Sequence, residues 1–187
     1  HFSIFHEKLG LIVTGANSKN QPELATFTEK VGRLVVHTPT SSRLKMSNDT
    51  DQLALAYNSF FAVLEVKPGS TQRQEFRFAI MPTGRIAPTD LNLQLVFKAG
   101  EVLETAAGHR TVLDEKPIRW GAGEVGDWIR HRGWTLRLPS DARLVWPVYP
   151  FNPYRNGPET ELAHAVGTVS FALNGRQTIA FAVETNE

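Results

Sequence analysis

In the segment NLQLVFK, Leu91, Leu93, Leu95 and Phe97 fall on one side of an extended chain, and Asn92, Gln94 and Lys98 fall on the other. QEFRFAI repeats the pattern, with Phe76, Phe78 and Ile80 alternating with Glu75, Arg77 and Ala79. A period of two is that of a strand with one face buried. RLVVHT, FFAVLEV, WTLRL and ARLVW have the same character, and the stretches KPGS, MPTGR, LPSD and LNGR between such runs are turn chemistry. The N-terminal FSIFHEKLGLIVTG reads as a hairpin that turns over His6 to Gly10.

At the C-terminus, GTVSFALNGRQTIAFAVET places two alternating runs around Asn174-Gly175 and reads as another hairpin. A two-residue turn would set Phe171 opposite Thr178 and leave Val169 and Phe171 on the opposite face from Ile179 and Phe181. A longer loop or a bulge, pairing Phe171 with Ile179 and Val169 with Phe181, is therefore expected. Helical signals are sparse. PELATFTEK (Pro22 to Lys30) and SNDTDQLALAY, with Asn48 or Asp49 as a cap, each fit a short helix or a loop leading into a strand. The pattern predicts a single all-β domain over residues 1–187, built from about ten or more strands in an antiparallel two-sheet β-sandwich, with a closed barrel as the alternative.

Composition narrows the function classes. A hydrophobic fraction of 41% with 21% charged residues is ordinary for a globular domain, and 187 residues suffice for a sizeable core. The formal net charge of +1 provides no global field for nucleic acid, and no Lys/Arg run marks a basic tail. No apolar stretch approaches the roughly 20 residues that span a bilayer. The absence of cysteine rules out disulfides, zinc–thiolate sites, iron–sulfur clusters and a cysteine nucleophile, and leaves the compartment open. The opening HFSIF, without an initiator Met, reads as a mature product, a processed piece or a domain of a longer polypeptide.

Catalytic motifs are missing. The histidines His1, His6, His37, His109, His131 and His164 form no His-x-His pair, and Gly10 stands where His6-Glu7 would need a second zinc-binding His. No Gly-x-Ser-x-Gly elbow occurs. WGAGEVGDW matches GxGxxG through Gly121, Gly123 and Gly126, but no βαβ unit surrounds it, so it reads as a flexible loop. Asp114-Glu115 and Glu124 with Asp127 read as solvated loop carboxylates rather than a glycosidase pair. No cofactor or metal is expected.

One region is unusual. Trp120, Trp128, Trp134 and Trp146 precede Tyr149 and Tyr154, interleaved with Arg110, Arg119, Arg130, Arg132, Arg137, Arg143 and Arg155. Aromatic faces stack on sugar rings, and guanidinium groups grip a uronate carboxylate or sulfate through paired hydrogen bonds. Trp134 and Trp146 continue strand faces and read as core, and Arg137 and Arg143 as ordinary outward residues. The candidate substrate-binding residues are therefore Trp120, Trp128, Arg130, His131, Arg132, Tyr149, Tyr154 and Arg155. WPVYPFNPYRNGPET, with four prolines, reads first as a rigid crossover leaving a strand edge and second as a binding platform.

FSIFHEKLGLIVTGANSKNQPELATF, the alternating meander, and ARLVWPVYPFNPYR before a closing hairpin resemble a known architecture. It is the β-sandwich portion that follows the helical toroid in heparinase II/III-like polysaccharide lyases, and the likeness spans most of the chain. Such lyases remove a proton next to a uronate carboxylate and expel the 4-linked oxygen, with a Tyr or His as base. Much of that machinery belongs to the helical domain. The resemblance thus implies an accessory, non-catalytic domain of an exported bacterial protein, secreted or periplasmic. Its implied partner is acidic polysaccharide or another domain of the same protein, with neither nucleic acid nor a membrane span. A free-standing carbohydrate-binding module, a complete polysaccharide lyase and a structural or interaction domain are the alternatives. For the lyase, Tyr57, His131, Tyr149 and Tyr154 are the open possibilities for acid or base.

Overall fold

Two antiparallel sheets packed face to face account for the period-two pattern. The computed structural model describes residues 2–15, 21, 24, 26–31, 33–70, 72–84, 88–152, 154, 156–158 and 160–185. The first sheet begins with β1 (Ile4–His6) and β2 (Gly10–Thr14), the expected N-terminal hairpin, and continues with β3 (Phe27–Val31) and β4 (Arg33–His37). A meander then builds one flank of the second sheet: β5 (Ser41–Lys45), β6 (Asp51–Ala56), β7 (Phe60–Ser70) and β8 (Arg73–Pro82). β9 (Asp90–Leu95) returns to the first sheet.

From there the chain alternates between layers. β10 (Val102–Thr105) and β11 (Arg110–Val112) join the second sheet, β12 (Ile118–Trp120) the first, β13 (Trp128–His131) and β14 (Trp134–Arg137) the second, and β15 (Arg143–Val148) the first. A small separate ribbon follows, β16 (Phe151–Asn152) with β17 (Gly157–Pro158). The chain ends with β18 (Val166–Ala172) in the first sheet and β19 (Thr178–Thr185) in the second. Among the described residues the first sheet runs β1-β2-β9-β18-β15-β12, with β3 also on β9 and β4 on β3. The second runs β11-β10-β13-β14-β19-β8-β7-β6-β5. Two separate layers, each with strand edges, make a sandwich rather than a closed barrel.

The C-terminal pair is not a hairpin. β18 lies between β9 and β15, whereas β19 lies between β8 and β14 in the facing sheet. Asn174 and Gly175, at φ 45° and 78°, turn the chain across the sandwich rather than back along one sheet. Phe171 and Phe181 are both buried between the layers. Strands in opposite sheets share no register, so the mismatch that a hairpin would have had to absorb does not arise.

Three further expectations resolve locally. WGAGEVGDW holds one helical turn, α1 (Ala122–Val125), rather than a flexible loop; the Glu124 carboxylate accepts the Gly121 N–H at 2.9 Å. SNDTDQLALAY is a loop leading into β6, its bend held by the Ser47 N–H donating to the Asp51 carboxylate at 3.1 Å. Of PELATFTEK, Pro22, Glu23 and Ala25 lie outside the described residues, and from Phe27 the segment is β3.

The core is aromatic and spans both layers. Phe27 of the first sheet meets Phe60 and Phe78 of the second at 5.3 and 5.7 Å, edge to face. Burying one such side chain contributes about 1.5–3 kcal/mol. Trp134 and Trp146 are core residues, as their strand positions predict, and both pack against Phe97. The Phe97 ring also covers Gly167 of β18, where any Cβ would overlap it. Gly167→Val is expected to destabilise by about 1–3 kcal/mol, visible as a lower urea midpoint at unchanged slope.

Candidate functional site

Alternation along four strands of the first sheet puts polar side chains on its outer surface. Cross-strand register sets Arg119, Val145, Thr168 and Gln94 in one row across β12, β15, β18 and β9. Arg143, Ser170 and Asn92 form the next. All of these but Gln94 floor a groove of about 670 Å³. Its wall is the proline-rich segment: Pro147 sits in β15 where the register shifts between Val145 and Val148, the Trp146–Pro147 peptide is cis, and Val148 and Tyr149 continue the lining. Gln21 closes the other side. Its amide Nε2 donates to the Tyr149 carbonyl at 2.6 Å, and its Oε1 accepts the Phe151 N–H. The crossover predicted for WPVYPFNPYRNGPET is thus part bulged strand, part groove wall.

The floor is more enclosed than a solvent face. β2 and β3 share one side of β9, Val13 opposite Leu95 and Phe27 opposite Leu91, and the Thr26 carbonyl accepts the Asn92 N–H at 2.8 Å. Asn92 and Gln94 are buried; the Asn92 amide donates to Thr28 Oγ1 at 3.1 Å and the Gln94 amide to the Leu24 carbonyl. The Thr168 hydroxyl is buried in the groove floor and has no hydrogen-bond partner among the described residues. Such a group costs about 1–3 kcal/mol unless something satisfies it.

Charge in the groove is uneven. Arg143 pairs with Asp90 and is neutralised locally. Arg119 is exposed and has neither an ion pair nor a hydrogen bond among the described residues. The groove thus presents one uncommitted guanidinium, an aromatic ring at Tyr149 and several hydroxyl and amide groups. Among the described residues no histidine lines it; Tyr149 and the Asp90 carboxylate are lining groups that could move a proton. Among the described residues no cluster of His, Asp and Glu could hold a metal ion, and no helix is long and apolar enough to cross a membrane.

The structure distributes the sequence-derived candidates over several places. Tyr149 belongs to the groove. Trp120 shares the inward face of β12 and stacks on His109 at 4.9 Å. His131 is wholly buried: its Nε2 accepts the Lys98 N–H at 3.0 Å, and its Nδ1 donates to the Val102 carbonyl at 3.0 Å. Arg132 occupies the β13–β14 turn at φ 52°, and Tyr154 is 98% exposed in the β16–β17 turn. Arg155 lies outside the described residues. Tyr57 is core, stacked on Phe60 at 4.2 Å, and burial pushes its hydroxyl pKa upward, the wrong direction for a base.

Trp128 and Arg130 lie on the outer face of the second sheet, the guanidinium 5.0 Å from the indole centre. There Glu104 sits between Arg110 and Arg130, at 2.9 and 3.6 Å, and Glu184 between Arg73 and Arg137. Arg77 meets Glu65 at 2.9 Å, and Arg73 also meets Glu75 at 3.0 Å. Register carries the same face out to Lys67 on β7 and to Arg43 and Lys45 on β5.

No known protein family and no curated protein matches the chain in sequence. The groove residues that sequence reasoning passed over as ligand contacts are Arg119, Asn92, Thr168, Ser170 and Gln21. Their signal was the polar side of the alternation, which by itself does not distinguish a solvent face from a lined groove.

Proposed function

We propose that this chain is a non-catalytic β-sandwich domain that binds acidic polysaccharide in the groove of its first sheet. The observation that carries the reading is the uncommitted Arg119 guanidinium lining the same groove as the Tyr149 ring and the Ser170 hydroxyl. A carboxylate on Arg119 gains charge-assisted hydrogen bonds, a sugar hydroxyl meets the partly exposed Ser170 hydroxyl, and the tyrosine ring covers apolar C–H groups. The resemblance to the sandwich portion of polysaccharide lyases points to the same partner, and to an exported protein. A second reading, docking against another domain of the same protein, is favoured by Phe61 and Met81. These are cross-strand neighbours on β7 and β8, each 47% exposed.

Calorimetric titration with tetragalacturonate and with a neutral β-glucan tetramer tests the proposal. The acidic tetramer is expected to bind and the neutral one to bind much more weakly. Arg119→Ala should weaken acidic binding by about ten- to a hundredfold, the loss of a charge-assisted contact. Equal affinity of wild type and Arg119→Ala would move the site elsewhere. Absorbance of an unsaturated uronate, rising with time, would overturn the non-catalytic reading.

A further inference from the structure

The outer face of the second sheet points away from the groove and has its own electrostatic character. Its cross-strand rows, from β11 to β5, carry eight basic side chains against four carboxylates. The whole chain has a formal net charge of only +1, so this surplus leaves the remainder of the molecule net acidic. The carboxylates are shared between neighbouring guanidinium groups, as at Glu184 and Glu104. Arg43, Lys45 and Lys67 are exposed and have no ion pair among the described residues. Basic side chains on an edge strand deter edge-to-edge pairing, which accounts for Arg43 and Lys45 on β5. It does not account for Lys67, which lies on an interior strand.

The middle of this face is charged, with Ala180 and Ala182 between the Arg and Glu rows. Protein–protein interfaces are depleted of charge at their centres, so a folded protein partner fits these charged rows poorly; the apolar pair Phe61 and Met81 lies two rows beyond Arg77 and Glu65 on the same face. A linear polyanion fits better: its charges are spaced along a chain, and each can be met by a basic side chain of the ladder. We infer that this face docks an anionic polysaccharide chain, separately from the groove, so that one molecule holds two polymer chains on opposite sides. The identity of the polymer rests on the reading of the groove; the docking surface itself rests on the charge segregation.

The experiment uses polygalacturonate, its tetramer and two variants of the full chain. One is Arg119→Ala. The other combines Arg43→Gln, Lys45→Gln and Lys67→Gln, whose exposed and unpaired side chains leave the fold intact. Wild type is expected to cross-link the polymer, seen as large particles in light scattering, and neither variant should. The triple variant should bind the tetramer like wild type. Its polymer affinity at low salt should fall about tenfold or more, and the slope of log affinity against log salt should fall by about three, one for each lost cation. An unchanged polymer affinity and salt slope in the triple variant would overturn the docking surface. An oligonucleotide of equal charge that displaces the polymer at lower concentration would overturn the assigned occupant. A tetramer that fails to bind wild type, while polymer binding remains sensitive to the triple substitution, would overturn the groove and the cross-linking and leave this surface standing.

Discussion

Trp146→Ala is expected to remove about 3–5 kcal/mol of stability, the range for truncating a large aromatic in a closed core. The side chain is fully buried, its ring packs edge-on against Phe97 at 5.8 Å, and its indole N–H donates to the Asp114 carbonyl at 3.0 Å. Alanine leaves a void between the layers and an acceptor without its donor. Trp146→Phe keeps most of the packing and loses the hydrogen bond, so it should fall between wild type and alanine. Urea unfolding of the three proteins, followed by far-ultraviolet circular dichroism, checks the order. An alanine variant within about 1 kcal/mol of wild type would mean that the layers close around the gap, contrary to rigid core packing.

His131→Leu should be nearly as damaging and should also alter the response to acid. The imidazole joins two backbone groups that have no other hydrogen-bond partner among the described residues, the Lys98 N–H and the Val102 carbonyl. Leucine strands both, at about 1–3 kcal/mol each. Burial holds the His131 pKa below the ordinary value, with the hydrogen bond to Val102 acting in the opposite sense. The folded protein therefore carries fewer protons at this site than the unfolded chain. Its contribution to stability is complete above the unfolded imidazole pKa of about 6.5 and is lost as pH falls below it, by up to about 1.4 kcal/mol per pH unit. Melting temperatures from pH 7 to pH 5 should fall more steeply for wild type than for His131→Leu. Parallel curves would show that another group carries the acid sensitivity.

Much of the architecture was legible because burial of one strand face leaves a period-two trace. Phe76, Phe78 and Ile80, or Leu91, Leu93 and Leu95, could be assigned to a core without knowing their partners. What alternation does not specify is which strand lies beside which. Asn174-Gly175 is a strong local turn signal, yet the same dipeptide serves a hairpin or an arch between sheets. The clue was present in the conflict between Val169 and Phe171 on one run and Ile179 and Phe181 on the other. That conflict vanishes when the two runs belong to different layers.

The candidate site was less legible for a related reason. Arg119, Thr168, Asn92 and Gln21 are brought together by pairing between strands distant in sequence, so no local spacing announces them. The interleaved Trp and Arg residues drew attention because they are close in sequence. The fold sends their side chains to different destinations: Trp134, Trp146 and His131 into the core, Trp128 and Arg130 to one outer face, Tyr149 to the other.

The groove is floored by strands whose opposite faces make the core, but walled by connections, and the Gln21 side chain clasps those walls together. Ligand preference and fold stability are thereby assigned to different residues. Lineages sharing this sandwich are free to change the groove by rewriting Arg119 and the other outward strand positions together with the connection after Val148. The apolar layer beneath would accumulate almost no change while the specificity above it diverged.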